Sequence, residues 1–226
     1  MRRDWRVVHQ VAAWCLGYPD EKLIAKLPLL RSALDEQPST EPVRLLRGFV
    51  DTLAKQDPHA LQHVYVELFD LRRHQTLHLS YWRDGDTRRR GESLAGFKAR
   101  LRDGSAKGDW LVDTGGELPD HLPMVLEYAA LADPAGGREL LIENHSALEL
   151  IRLALTERGS AYADVLAAVC ATLPGPSAKD RREALAMARA EPPQESVGID
   201  LPFPTRPGTG AGTNPGTSPA TMMGAR

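Results

Sequence analysis

Asp57-Pro-His-Ala-Leu-Gln-His-Val-Tyr-Val-Glu-Leu-Phe69 decides the fold class. Asp57 can accept a hydrogen bond from a free amide in a helix's first turn. Pro58 suits that turn, because the N–H it lacks would have no partner there. Behind this start, Leu61, Val64, Tyr65, Leu68 and Phe69 follow at i, i+3, i+4, i+7 and i+8. That spacing puts all five on one helical face and predicts its burial.

The same period recurs on both sides. Upstream, Trp5, Val8, Val11, Ala12, Cys15 and Leu16 predict a helix stopped by Gly17-Tyr18-Pro19. Asp20 is placed to cap a second helix carrying Leu23, Ile24, Leu27, Leu30 and Leu34, which Pro28 is expected to kink or divide. Glu41-Pro42 opens a third, with Val43, Leu46, Val50 and Leu53 on one face. Downstream, Leu94, Phe97 and Leu101 mark a helix expected to end at Asp103-Gly104. Leu122, Val125, Leu126 and Ala129 mark the next, from around Pro119-Asp120 to just before Asp133-Pro134. Leu140, Leu141, Leu148, Ile151 and Leu155 read as one long helix closed by Arg158-Gly159. Ser160 then caps a helix with Tyr162, Val165, Leu166 and Val169 apolar, and a short polar helix follows Pro174-Gly175-Pro176.

No alternating β-branched run lies between turn signals, so the expectation is all-α: a single helical-bundle domain over residues 1–190. Residues 191–226, mostly Pro, Gly, Thr, Ser and Ala from Pro202 onward, carry too little apolar surface to offset their ordering entropy and are expected to be a disordered tail. Val197, Ile199, Leu201 and Phe203 alternate within it, which leaves open an extended segment that docks on a groove.

Composition narrows the function. Asp and Glu number 30 against 28 Lys and Arg, a net charge of −2, so there is no basic excess to neutralise nucleic-acid phosphates. Cys15 and Cys170 are too few for a disulfide framework or a four-ligand zinc site, and their apolar helical contexts read as buried, reduced thiols. No apolar run approaches the ~20 residues of a membrane span, so no membrane insertion is expected. The Arg2-Arg3 pair is followed by a stretch broken at His9 and Gln10, without the apolar core or cleavage site of an export signal. A cytoplasmic protein is expected.

The chemistry-bearing groups do not assemble into a catalytic set. Arg88, Arg89 and Arg90 at a helix start oppose the helix dipole. Either they pair with Asp84, Asp86 or Glu92, or they recognise a carboxylate, a phosphate or backbone carbonyls. His59 with His63, and His74 with His78, share helical faces, but two imidazoles fall short of a zinc site and no metal is expected. Asp120-His121 offers an acid–base reading, yet neighbours on a helix do not face each other, and capping or recognition is preferred. There is no nucleophile elbow and no glycine-rich phosphate loop, so neither catalysis nor a cofactor is expected.

Four motifs, in order, carry a resemblance: Tyr65-Val-Glu-Leu-Phe-Asp-Leu71, Leu77-His-Leu-Ser-Tyr81, Asp84-Gly-Asp-Thr-Arg-Arg-Arg-Gly91 and Leu118-Pro-Asp-His-Leu122. Together they resemble the NarJ family of nitrate reductase molybdenum cofactor assembly chaperones, also called the delta subunit. That family is related to the redox-enzyme maturation chaperones of other molybdoenzymes. The resemblance implies an all-helical cytoplasmic chaperone that needs no cofactor of its own. It would bind the N-terminal segment of the apo alpha (catalytic) subunit of nitrate reductase and hold the alpha–beta complex ready for molybdenum cofactor insertion before membrane attachment. Contact with cofactor-delivery proteins stays open. Matched position by position, the client groove would be built by Tyr65, Glu67, Phe69, Asp70, Leu71, Leu77, Leu79, Tyr81, Arg88, Arg90, Gly91, Asp120, His121 and Glu127, with Phe69 expected in the core. The alternative keeps the fold and changes the client to another molybdoenzyme bearing a twin-arginine signal.

Overall fold

The computed structural model describes residues 3–71, 76–105 and 116–190, all within one compact unit, Met1–Pro192. Eleven α-helices run through the described residues: α1 (Arg6–Cys15), α2 (Glu21–Asp35), α3 (Glu41–Leu53), α4 (Pro58–Tyr65), α5 (Leu79–Asp84), α6 (Arg88–Ser105), α7 (Leu122–Glu127), α8 (Pro134–Glu143), α9 (His145–Glu157), α10 (Tyr162–Cys170) and α11 (Arg181–Ala190). Among these residues no strand forms, and the all-α expectation holds. The predicted caps are in place: the carboxylates of Asp20 and Asp57 accept from the amides of Leu23 (2.8 Å) and Ala60 (3.0 Å).

α10 lies at the centre, packed by α1, α3 and α9, while α7 packs on α1 and α11 covers α9. Leu16, Leu46, Phe49, Leu126, Leu148 and Leu166 are buried between these helices. Tyr65, Phe69 and Tyr162 form an aromatic cluster with Phe49, ring centroids 4.8–6.1 Å apart, in tilted and edge-on arrangements that the ring quadrupoles favour.

Several expectations need correction. Pro28 does not divide α2, which runs unbroken from Glu21 to Asp35. It sits on the exposed face, where water can satisfy the carbonyl that loses its N–H partner. Val64 is 42% exposed although Leu61, Tyr65, Leu68 and Phe69 are buried, because only the Leu61–Tyr65 edge of α4 meets the core. After Tyr65 the chain continues as a π-helical turn, Val66–Asp70, closed by the Leu71 amide on the Val66 carbonyl at 3.0 Å. A second π-turn, Tyr128–Ala132, extends α7.

α6 runs to Ser105, within one residue of the expected Asp103-Gly104 end, and at Gly104 the Tyr128 hydroxyl would lie 2.0 Å from a Cβ. The single long helix expected after Pro134 is two. Asn144 breaks it, its side-chain amide donating to the Leu140 carbonyl at 2.8 Å while its own carbonyl starts α9. The Arg158-Gly159 end is as expected. Gly159 has φ +64°, its amide donates to Thr156 and that of Ser160 to Leu155, which together satisfy two of the helix's last carbonyls. Ser160 caps the start of α10 as expected: its hydroxyl accepts from the Tyr162 amide at 3.3 Å and its carbonyl from the Ala163 amide at 3.0 Å. The readings made for His74 and for residues 191–226 lie outside the described residues.

Candidate functional site

Two short segments far apart in sequence cross at residues 77–79 and 120–122. The Leu79 amide donates to the Asp120 carbonyl (3.1 Å) and the Leu122 amide to Leu77 (2.9 Å), an isolated antiparallel bridge pairing His78 with His121. Their rings lie 5.2 Å apart. The irregular chain expected around Leu77–Tyr81 thus has a cause: its backbone bonds go to another segment before α5 begins.

The bridge delivers the fully buried carboxylate of Asp120 to the N-terminus of α5. One oxygen accepts from the Ser80 amide (3.0 Å) and hydroxyl (2.5 Å), the other from His78 Nδ1 (3.0 Å). A carboxylate cannot donate, so Nδ1 of His78 carries a proton. Because the Ser80 hydroxyl donates to Asp120, its oxygen is left to accept from Arg90 Nε at 3.3 Å. Burial alone would raise the Asp120 pKa, but the bonds from His78 and Ser80 outweigh it and hold the group below its ordinary value. Asp120 therefore caps α5, a helix 40 residues away, rather than its neighbour α7.

His121 is half-buried, and burial lowers its pKa, with His78 adding to the effect and Glu117 and Asp120 opposing it. It forms part of the wall of a hollow of about 420 Å³ between α1, the start of α2 and α7. Ala13, Trp14, Leu23, Pro123 and Met124 supply its apolar surface, and Asp20, Glu117 and Glu127 are its charged lining residues. Lys26 sits over the Trp14 ring at 3.6 Å. A second hollow, of about 560 Å³, is lined by Phe69, Asp70, Leu71, Thr76, Tyr81, Asp86 and Arg90. There the Arg90 guanidinium lies 5.7 Å from the Tyr81 ring centroid.

The fourteen residues expected to build the groove thus separate. Phe69, Asp70, Leu71, Tyr81 and Arg90 line the second hollow, and His121 and Glu127 the first. Leu71 is 72% exposed. Leu77 and Leu79 are buried in the core and line neither, and Asp120 is enclosed between. Tyr65 is also buried; its hydroxyl donates to the Leu16 carbonyl at 3.0 Å and its ring meets Tyr18, so it fixes the end of α1 rather than facing a client. Glu67 lines a third hollow beside Val64 and Tyr162. Arg88 and Gly91 are exposed on α6 outside all of these.

The expected pairing of Arg88–Arg90 with Asp84, Asp86 or Glu92 does not form among the described residues. Asp84 instead accepts from Ser93 (2.6 Å) and Arg83 (3.4 Å). Sequence reasoning missed Trp14, Tyr18 and Met124 as lining of the hollow beside His121, and missed His78 as the partner of Asp120, since nothing local joins them.

The fold and these hollows define an all-helical protein whose apolar recesses are edged by charged side chains. Residues 33–168 match the nitrate reductase delta subunit family, and the chain belongs to that family. It is 38% identical over 168 residues to a nitrate reductase-like protein, NarX, of Mycobacterium tuberculosis, 74% of this chain but only 24% of the relative. This chain therefore spans about a quarter of that protein's length. It is 29% identical to a probable nitrate reductase molybdenum cofactor assembly chaperone, NarJ, of Bacillus subtilis, over 75% of this chain and 90% of the relative. It is 31% identical to the assembly chaperone of that name in Escherichia coli, over 66% of this chain and 61% of the relative. Among the described residues no helix is long and apolar enough to cross a membrane.

Proposed function

We propose that this chain is an assembly chaperone for a nitrate reductase, acting by binding and not by turnover. Its client is the N-terminal segment of the apo alpha subunit, held in the cytoplasm with the beta subunit until the molybdenum cofactor is inserted. Family membership supports the nitrate reductase partner, and the hollow beside His121 is the observation that carries the binding mode. Its floor of Ala13, Trp14, Leu23 and Met124 suits the apolar face of an amphipathic helix, and Glu117 and Glu127 suit basic residues beside that face. The Tyr81–Arg90 hollow is the second contact surface.

Calorimetric titration with the alpha subunit's N-terminal peptide tests this. Micromolar or tighter binding is expected, weakened at least tenfold by Glu127→Lys (about 1.4 kcal/mol) and by Trp14→Ala. Loss on Tyr81→Ala alone would move the client to the second hollow. Absence of binding by the folded protein, together with binding of a twin-arginine signal peptide, would replace nitrate reductase by another molybdoenzyme as client.

A further inference from the structure

Beneath α11, and away from both hollows, three metal-competent side chains converge. His145 is the first residue of α9, Glu149 lies one turn on, and Cys170 ends α10. All three are buried, Glu149 completely, and one donor atom from each lies within 4.8 Å of the others. Arg152 donates to Oε2 of Glu149 at 2.7 Å and also holds the Ala178 carbonyl, while Oε1 faces His145 and Ser177 lies beside the carboxylate. Oε1 of Glu149 and Nε2 of His145 stand 3.5 Å apart, each without a hydrogen-bond partner. Two buried polar atoms held in so long a contact beside a thiol are under-satisfied for a core. A bound cation would satisfy all three donors.

We propose that His145 Nε2, Glu149 Oε1 and Cys170 Sγ form a site for one divalent transition-metal ion of the zinc type. Imidazole, carboxylate and thiolate are the donors such an ion takes, and a tetrahedral shell at ~2.0–2.3 Å brings its ligand atoms to ~3.5 Å from one another, a contraction within side-chain reach. Charge balances: thiolate and carboxylate neutralise the dication, while Arg152 keeps Oε2 and orients Glu149 from outside the shell. Burial and the Glu149 charge hold the Cys170 thiol well above its ordinary pKa, so the proton leaves only as the ion enters, released to solvent with one Cys–metal bond formed. Because Arg152 joins Glu149 to the Ala178 carbonyl, the ion would act as a clasp between α9, α10 and the chain leading to α11.

The test is refolding of the full chain from urea with cobalt(II) as probe. One equivalent with a sulfur-to-cobalt charge-transfer band is expected, lost in Cys170→Ser and kept in Cys15→Ser. Zinc affinity should fall more than about tenfold in Cys170→Ser. Absence of the band in the wild type, or its persistence in Cys170→Ser, would overturn the site. Should Cys170→Ser fail to fold, X-ray absorption of the zinc-loaded wild type decides: one sulfur with nitrogen or oxygen neighbours supports the site, and a shell without sulfur overturns it.

Discussion

Lowering the pH from 7.5 to 5 is expected to remove about 2 kcal/mol of stability through His9 alone. His9 lies on α1, 4% exposed, with Nε2 3.0 Å from the Thr172 hydroxyl. That hydroxyl donates to the Val169 carbonyl at 2.7 Å, so its oxygen must accept, and Nε2 of His9 carries the proton of a neutral ring. A second proton would charge the ring in a buried place. Burial, with Arg138 adding repulsion and Asp4 opposing it, lowers the pKa from 6.5 to about 4. The unfolded chain therefore takes up the proton first. Stability is complete above pH 6.5 and falls as the pH drops from there toward 4. At pH 5 the unfolded ring is almost fully protonated and the folded one about a tenth, a difference that integrates to about 2 kcal/mol. His9→Gln keeps an amide donor for Thr172 and does not titrate. Urea unfolding of both proteins at pH 7.5 and 5 should show the wild type losing about 2 kcal/mol more than the variant. Equal losses, or an NMR titration of His9 near 6.5, would refute the reasoning.

Asp120→Ala strips α5 of its cap and leaves His78 and Ser80 facing each other, and urea unfolding should register a loss of about 3 kcal/mol. Gly137→Ala places a Cβ 2.4 Å from the Ala129 Cα, backbone that cannot move aside, and should lower stability by about 1–3 kcal/mol, read as a fall in Tm. Gly91→Ala, with open space around it, should instead leave the fold intact or stabilise it by about 0.5–1 kcal/mol. Any loss of peptide affinity in that variant would then report client contact at α6. Because burial lowers the His121 pKa, affinity for a basic peptide should stay flat from pH 8 to 6.5 and weaken below it, where a positive imidazolium faces the client. Calorimetric affinities that weaken already between pH 8 and 7 would contradict this.

The helices were legible because their determinants are local. The stripe Leu61, Tyr65, Leu68 and the caps Asp20 and Asp57 act within a turn or two, and the 3.6-residue period exposes them to reading along the chain. The misses share a reason as well. Val64 satisfies the period, yet its exposure depends on where neighbouring helices lie. Asn144 looks like a passenger within one long helix, but its side-chain bond to the Leu140 carbonyl accompanies a break there. Of the candidate groove, Tyr81, Arg90, His121 and Glu127 were found through motif resemblance and do line hollows. Sequence by itself determined an all-helical chain, the family's motifs and the absence of a basic stripe, since composition and period need no third dimension. Only the tertiary structure decided that Asp120 caps α5 through Ser80 and His78, that Leu77 and Leu79 are core, and that Cys170 meets His145 and Glu149. Those contacts join residues 21 to 42 positions apart, and no local period records which distant groups a packed core brings within hydrogen-bond reach.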